Sequence, residues 1–442
     1  MRFFEDKRGT PLRGKVKVQG SKNAALPVMA AALLLDNGEV HLRNVPKLLD
    51  VQTMSELLVS LGAVVKRDDH TMTIEIEGEP AWETPSSLVR KMRASSLVLG
   101  PLLARCGRVI LPLPGGCAIG SRPMDLHFKG LSKMGAQIEL DKGAVIARAD
   151  KLVGARIYLD FPSVGATENL LMAAVLAEGE TLIENAAREP EIDNLVRALK
   201  SMGAAIEGEG TGILRVRGQK ELNPATIDII PDRIEAATYL LAGAITGGDV
   251  TVKGVVAEHL NALLAKLDEA GIEVINKENE LRVNSPDRPR GLTVKTMPYP
   301  GFSTDLQPQM MALLSLAEGT SVIHETIFES RFLHASELQK MGAQIELQGN
   351  TAIIHGQSSL IGAEVYATDL RGGAALVLAG LAAEGETVVY DVHHLERGYE
   401  NMAEKLILLG AEVCEGKEKI KEENNKKQNG RRCYHVVRKF HS

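Results

Sequence analysis

Hydrophobic and polar positions along the chain follow one order that recurs about every 70 residues. An almost wholly apolar run comes first, as in residues 169–177 (NLLMAAVLA) and 374–383 (AALVLAGLAA). Such runs predict helices buried on every side. A stretch with a one-sided apolar stripe follows, as in 192–202 (IDNLVRALKSM) and 258–270 (EHLNALLAKLDEA). These predict helices at a surface. Strictly alternating stretches close each period, as in 72–77 (MTIEIE), 137–140 (QIEL) and 213–217 (ILRVR). Alternation predicts strands wet on one face, unlike the continuous apolar strands of a doubly wound parallel sheet.

Two glycine landmarks punctuate the order. The surface-type helices stop at Leu61-Gly62-Ala63, Met134-Gly135-Ala136, Met202-Gly203-Ala204, Ala270-Gly271-Ile272, Met341-Gly342-Ala343 and Leu409-Gly410-Ala411. A glycine at the stop suits a left-handed residue just past a helix end. The apolar runs close at Gly38, Gly107, Gly179, Gly248, Gly319 and Gly385. The fold class is therefore α/β, built inside out: six repeats, helices in the core, sheets around them. Six copies divide as three and three, giving a first lobe over 21–229 and a second over 230–416, with the boundary near Pro231. Residues 417–442 break the pattern. The polar, low-complexity stretch 417–430 predicts a disordered tail, dispensable for activity beyond Gly416.

Composition adds exclusions. The 442 residues allow two or three domains with ample core. Aromatics at 4% leave little for stacking nucleic-acid bases. The net charge of −6 combines a tail of +6 with a body of about −12, which disfavours a nucleic-acid binder. The longest apolar runs are too short to span a bilayer, and the first residues lack the apolar core of a signal peptide. The four cysteines, Cys106, Cys117, Cys414 and Cys433, form no C-x-x-C pair. A cytoplasmic enzyme with reduced thiols is the expectation.

Ions stand where the buried helices should begin: Lys22 beside Asn23, Arg93, Asp232 with Arg233, Asp305, and Asp369 with Arg371, while Gly165 holds the third place. The aspartates can be read as N-caps. The cations cannot, because a positive charge at a helix N-terminus opposes the dipole by about 0.3–1 kcal/mol. Three such cations at equivalent positions, beside free N–H groups, point to an anion site. Cys117 lies in a Gly-rich loop five residues before Arg122, where a guanidinium would favour its thiolate; a small buried cysteine in a turn is the plainer reading. Cys106 sits on an apolar helix and reads as inert. Arg331 in 325–332 (ETIFESRF) and Arg397 in 396–400 (ERGYE) read equally as solvated arginines. His393 and His394 lack the spacing of a helical metal pair, and no metal site is expected.

At 20–27 (GSKNAALP), 93–95 (RAS), 114–123 (PGGCAIGSRP), 163–167 (SVGAT), 185–191 (NAAREPE), 328–331 (FESR) and 369–371 (DLR), the chain resembles the enolpyruvyl transferases, specifically those acting on UDP-N-acetylglucosamine. The resemblance runs in order from residue 1 to about 416. It implies two lobes of three βαβαββ units each, with residues 1–20 joining the second lobe. It implies transfer of the enolpyruvyl group of phosphoenolpyruvate to the 3′-hydroxyl of UDP-N-acetylglucosamine, with loss of phosphate, as the committed step toward peptidoglycan. It implies no cofactor and no obligate protein partner.

The same resemblance assigns roles. Lys22, Arg122 and Arg397 would hold phosphoenolpyruvate, with Arg331 and Arg371 nearby and Asp369 beside them. Asn23, Arg93, Arg122, Pro123, Met124, Asp125, Leu126, Ser163, Val164, Gly165, Asp305 and Ile327 would contact the UDP-sugar. Asp305 would take the hydroxyl proton, and Cys117 would act as acid or through a covalent adduct. Guanidinium groups suit both the carboxylate and the phosphate of phosphoenolpyruvate. Phe161 stands where some relatives carry a lysine near the uridine. Because residues come from both halves, a cleft that closes between the lobes is expected. Two rivals remain: transfer to shikimate 3-phosphate, whose enzymes lack the Pro-Gly-Gly-Cys loop, and a catalytically silent UDP-sugar-binding paralogue.

Overall fold

The computed structural model describes residues 11–115, 124–285, 288–418 and 431–437. The described residues form two compact units, one of residues 19–115 and 124–231, the other of the remainder.

In the unit of residues 19–231 the apolar runs form helices Lys22–Ala31, Leu99–Cys106 and Val164–Ala174, buried over most of their length. Three sheets surround them. One runs Ala225–Asp228, Asn37–Arg43, Thr71–Glu77, Val64–Asp68; the second Arg108–Pro112, Ala144–Arg148, Gln137–Asp141; the third Ala205–Glu207, Ile213–Arg217, Glu180–Glu184, Arg156–Tyr158. Strand Thr71–Glu77 shows how a sheet faces the core: Met72, Ile74 and Ile76 are buried, and the residues between them are not. Strand Ala225–Asp228 returns to pair in parallel with Asn37–Arg43, so the third repeat closes on the first.

The other unit repeats the plan with inner helices Arg233–Ile245, Gln307–Leu314 and Leu370–Ala382, which pack on one another. Strand Arg13–Lys17 enters here, parallel to Asp249–Lys253. The core of this unit is continuous, from Leu12 and Val16 through Leu240 and Met311 to Leu376 and Val389. Among the described residues no helix is long and apolar enough to cross a membrane.

The six stops have one construction. Ala63, Ala136, Ala204, Ile272, Ala343 and Ala411 each donate a backbone N–H to the carbonyl of a leucine five residues earlier, at 2.8–3.1 Å. The glycine between, such as Gly62 at φ 102° or Gly410 at φ 91°, takes the left-handed conformation that this cap demands. The glycines that close the apolar runs have positive φ in five copies, from 64° at Gly107 to 121° at Gly38. In the fourth copy Gly247, not Gly248, has positive φ, at 68°. Gly248 is required for a different reason: a Cβ there would stand 2.3 Å from the Leu12 carbonyl oxygen.

The tail also differs from the sequence expectation. Residues 417 and 418 end strand Glu412–Glu418, and Arg431–Val437 is a strand inserted between it and Glu386–Tyr390. In four of the other repeats this pair of strands is joined by a two-residue turn; here residues 419–430 intervene. Alternation explains the outcome: Tyr434 and Val436 point into the core, 3% and 1% exposed.

Candidate active site

Asp305 belongs to a short 3-10 helix, Thr304–Leu306, that leads into the inner helix Gln307–Leu314. It does not cap that helix. Ser303 caps the 3-10 helix, its Oγ accepting the Asp305 N–H, and the Asp305 carboxylate is left to other partners. Arg331 Nη2 donates to Oδ1 at 3.2 Å; Arg371 donates to Oδ2 through Nε at 3.3 Å and Nη2 at 3.2 Å. Both arginine side chains are almost fully buried, while Asp305 is about a quarter exposed.

Asp232 and Asp369 are true N-caps. Asp232 Oδ1 accepts from the N–H groups of Ile234 and Glu235, and Asp369 Oδ1 from those of Arg371 and Gly372. The Asp369 carboxyl is held below its ordinary range: burial opposes its charge, but Arg331, the capped N–H groups and His334 outweigh that. Arg371 is the second residue of helix Leu370–Ala382, a cation at the positive end of a dipole. Burial also opposes its charge, and Tyr399, Asp305 and Asp232 more than reverse this, so its pKa is raised. Arg331 Nε is buried and has no hydrogen-bond partner among the described residues, while Arg371 also reaches the Tyr399 hydroxyl. Two guanidinium groups converging on one carboxylate carry more positive charge than it neutralises, which suits an anionic ligand. The reading of Arg331 as a solvated surface arginine is thereby overturned.

Ile327 is tied to this cluster through Glu325, whose Oε1 accepts the Ile327 N–H at 2.8 Å. Arg397 ends the 3-10 helix Val392–Arg397, which packs on helix Leu370–Ala382.

In the other unit Lys22 is the first residue of its helix, and its Nζ lies 3.1 Å from Asp50 Oδ2. That helix packs on the 3-10 helix Arg93–Val98, which begins at Arg93. Asn169 binds the neighbouring pieces together. Its Oδ1 accepts the Gly100 N–H at 2.7 Å, and its Nδ2 lies 3.1 Å from both the Ser96 carbonyl oxygen and His127 Nδ1. His127, on helix Asp125–Lys133, packs against Gly165, where a Cβ would meet its ring at 3.3 Å. Burial, with Arg93 nearby, pulls the His127 pKa down to about 4, so the ring is neutral and accepts at Nδ1. The Asn169 amide thus ties together the 3-10 helix that begins at Arg93, the helix that carries His127 and, through the Gly165 carbonyl at 3.4 Å, the first turn of its own helix. Ser163 caps helix Val164–Ala174 through Oγ, and Met124 precedes helix Asp125–Lys133. Asn23 follows Lys22, half-buried, and Phe161 is exposed.

Cys117, Arg122 and Pro123 lie outside the described residues. Cys106 is half-buried, and burial raises its thiol to about 11, an inert cysteine. His393 and His394 rest on each other, ring centroids 4.1 Å apart. Among the described residues no group of three or more His, Cys, Asp or Glu could hold a metal ion.

Sequence reasoning missed Asp50, Asn169, His127 and Glu325. The available signal was a polar residue inside or beside an apolar run. Asn169 opens the 169–177 run and His127 follows the loop motif.

The EPSP synthase (3-phosphoshikimate 1-carboxyvinyltransferase) family model matches residues 7–406. A UDP-N-acetylglucosamine 1-carboxyvinyltransferase 1 of Caldanaerobacter subterraneus subsp. tengcongensis is 52% identical over 410 residues, covering 93% of this chain and 98% of the relative. A UDP-N-acetylglucosamine 1-carboxyvinyltransferase of Geobacter metallireducens is 53% identical over 412 residues, covering 93% and 99%. Among solved structures, the enolpyruvyl transferase NikO from Streptomyces tendae matches with a TM-score of 0.83 at 27% identity, over 92% of this chain and 97% of NikO. An EPSP synthase from Acinetobacter baumannii shares the fold, with a TM-score of 0.68 at 21% identity over 88% and 93%. With three inner helices and three sheets in each unit, and more than half of the aligned residues shared with relatives of one name, the chain belongs to the UDP-N-acetylglucosamine 1-carboxyvinyltransferases of the EPSP synthase family.

Proposed function

We propose that this chain transfers the enolpyruvyl group of phosphoenolpyruvate to the 3′-hydroxyl of UDP-N-acetylglucosamine and releases phosphate, the first committed step of peptidoglycan synthesis. The observation that carries the chemistry is the Asp305–Arg331–Arg371 cluster, a partly exposed carboxylate clamped by two buried guanidinium groups.

The residues divide the work by chemistry. Asp305 takes the proton of the 3′-hydroxyl as its oxygen attacks C2 of phosphoenolpyruvate. The methylene carbon gains a proton in the same step, and Cys117 is the proposed donor. The product is a tetrahedral adduct carrying both the sugar oxygen and the phosphate on C2. Removal of a methyl proton and departure of phosphate then form the enol ether. Lys22, Arg122, Arg331, Arg371 and Arg397 counter the carboxylate and phosphate charges, and guanidinium forks suit both groups. Asp369 orients Arg371 by capping its helix. On the acceptor side, the first turn of helix Val164–Ala174 offers backbone N–H groups and a positive dipole end to the diphosphate. For contact with the acceptor sugar we propose Asn23, Arg93, Arg122 to Leu126, Ser163 to Gly165, Asp305 and Ile327. We place the activity in the cytoplasm, where a reactive thiol such as Cys117 stays reduced.

Mass spectrometry of UDP-N-acetylglucosamine incubated with phosphoenolpyruvate and the protein tests this reading. An enolpyruvyl ether of the sugar is the expected product, and an unmodified sugar rejects it, including in favour of a silent sugar-binding paralogue.

A further inference from the structure

Glu325 is 2% exposed and follows strand Thr320–His324, where the chain turns toward Arg331. Its carboxylate accepts four hydrogen bonds. Oε1 takes Thr296 Oγ1 at 2.8 Å, the Ile327 N–H at 2.8 Å and the Phe328 N–H at 3.3 Å; Oε2 takes Thr304 Oγ1 at 3.0 Å. Thr296 reinforces the turn, its Oγ1 accepting the Thr326 N–H at 2.9 Å and its carbonyl the Thr326 hydroxyl at 2.6 Å. All four groups facing Glu325 donate to it, and the Ile327 and Phe328 N–H groups can only donate, so Oε1 has to be an acceptor.

These contacts close a ring through the site. Glu325 holds Thr304, the residue before Asp305; Asp305 meets Arg331; and Arg331 begins four residues after Ile327, which Glu325 also holds. We propose that Glu325 is a positioning residue that fixes Asp305 and the 326–328 turn in register with the acceptor sugar. The inference rests on the transfer to UDP-N-acetylglucosamine proposed above. It assigns no contact between Glu325 and substrate. The carboxylate acts through Thr304 on the base and through the Ile327 backbone on the sugar contact. Displacing a catalytic group by about 1 Å lowers turnover by up to about 100-fold.

The test uses the full chain, with phosphate release measured for Thr304→Val, Thr304→Ser and Glu325→Ala. Thr304→Val, which removes only the link to the base, should lower kcat about 10-fold and leave KM for UDP-N-acetylglucosamine within about threefold. Thr304→Ser, which keeps the hydroxyl, should restore wild-type turnover. Glu325→Ala should lower kcat and also raise that KM about 10-fold, since both arms are lost. In an Asp305→Asn background, Thr304→Val should remove no further activity, whereas a merely structural lesion would add to the loss. A Thr304→Val variant within twofold of wild type, a serine variant as damaged as the valine one, or an additive loss overturns the positioning role alone. A wild-type protein without phosphate release in the presence of UDP-N-acetylglucosamine overturns the transfer reading and this role together.

Discussion

Lys22 Nζ stands 3.1 Å from Asp50 Oδ2, a lysine opening one helix against a carboxylate in the first turn of the next. The lysine is 12% exposed and the aspartate 5%, so neither charge is well solvated. The cation that opposes its own helix dipole is thus compensated from a neighbouring helix, as Arg371 is by Asp305. Asp50→Asn should destabilise its unit by about 1–3 kcal/mol, because Lys22 stays charged without its counter-ion. Urea unfolding of Asp50→Asn, Lys22→Met and the double variant measures this. A coupling energy of at least about 1 kcal/mol is expected, and strict additivity would reject the pairing.

Stability should fall on mild acidification, through two buried histidines. Burial lowers both His127 and His334 to about 4, from an ordinary value near 6.5. Between those values the unfolded chain takes up protons that the folded chain refuses. Stability is therefore full above about pH 6.5 and is lost as pH falls toward 4. At pH 5 the loss should reach about 1–2 kcal/mol for each histidine, one in each unit. Urea midpoints at pH 7, 6 and 5 read the slope, and His127→Asn should flatten it for the unit of residues 19–231. An unchanged slope in that variant would mean that other groups set it.

The C-terminal strand should be indispensable. Tyr434 and Val436 fill core positions, and Arg431–Val437 pairs on both edges. Tyr434→Ala is expected to cost about 3 kcal/mol. A chain ending at Glu418 should unfold at a markedly lower temperature, while one ending at Val437 should match the full chain. Equal thermal midpoints for all three would show that the strand contributes nothing.

Cys117→Ser should resist alkylation by a phosphoenolpyruvate-like epoxide that labels the wild-type protein stoichiometrically. Intact-mass measurement reads this directly, and labelling at the wild-type rate in the variant would remove Cys117 from the reaction.

Much of the fold is legible in the sequence because its signals are local. The stop glycines, the leucines five residues before the residue that follows each of them, and the alternating strands each declare themselves within a dozen positions. At the fourth copy of the second landmark the adjacent Gly247 and Gly248 divide the work, one carrying the turn and the other the close approach. The last strand was hidden by the polar residues before it, although Asn429-Gly430 is a turn signal placed immediately ahead of it. In the site, the ionic residues at helix starts are visible and their partners are not. Lys22 and Asp50 are 28 residues apart, Thr304 and Glu325 21, and His127 and Asn169 42, with no period to link them. Asp305 looks like Asp232 and Asp369 in sequence. Ser303 two residues earlier is what separates it, since a serine that takes the cap releases the aspartate for other work.

The most direct test is phosphate release from phosphoenolpyruvate with two acceptors offered separately. The account predicts sustained release with UDP-N-acetylglucosamine, none above background with shikimate 3-phosphate, and loss of nearly all of it in Asp305→Ala that still binds the UDP-sugar. Release with shikimate 3-phosphate instead, or near-native turnover in Asp305→Ala, would contradict it.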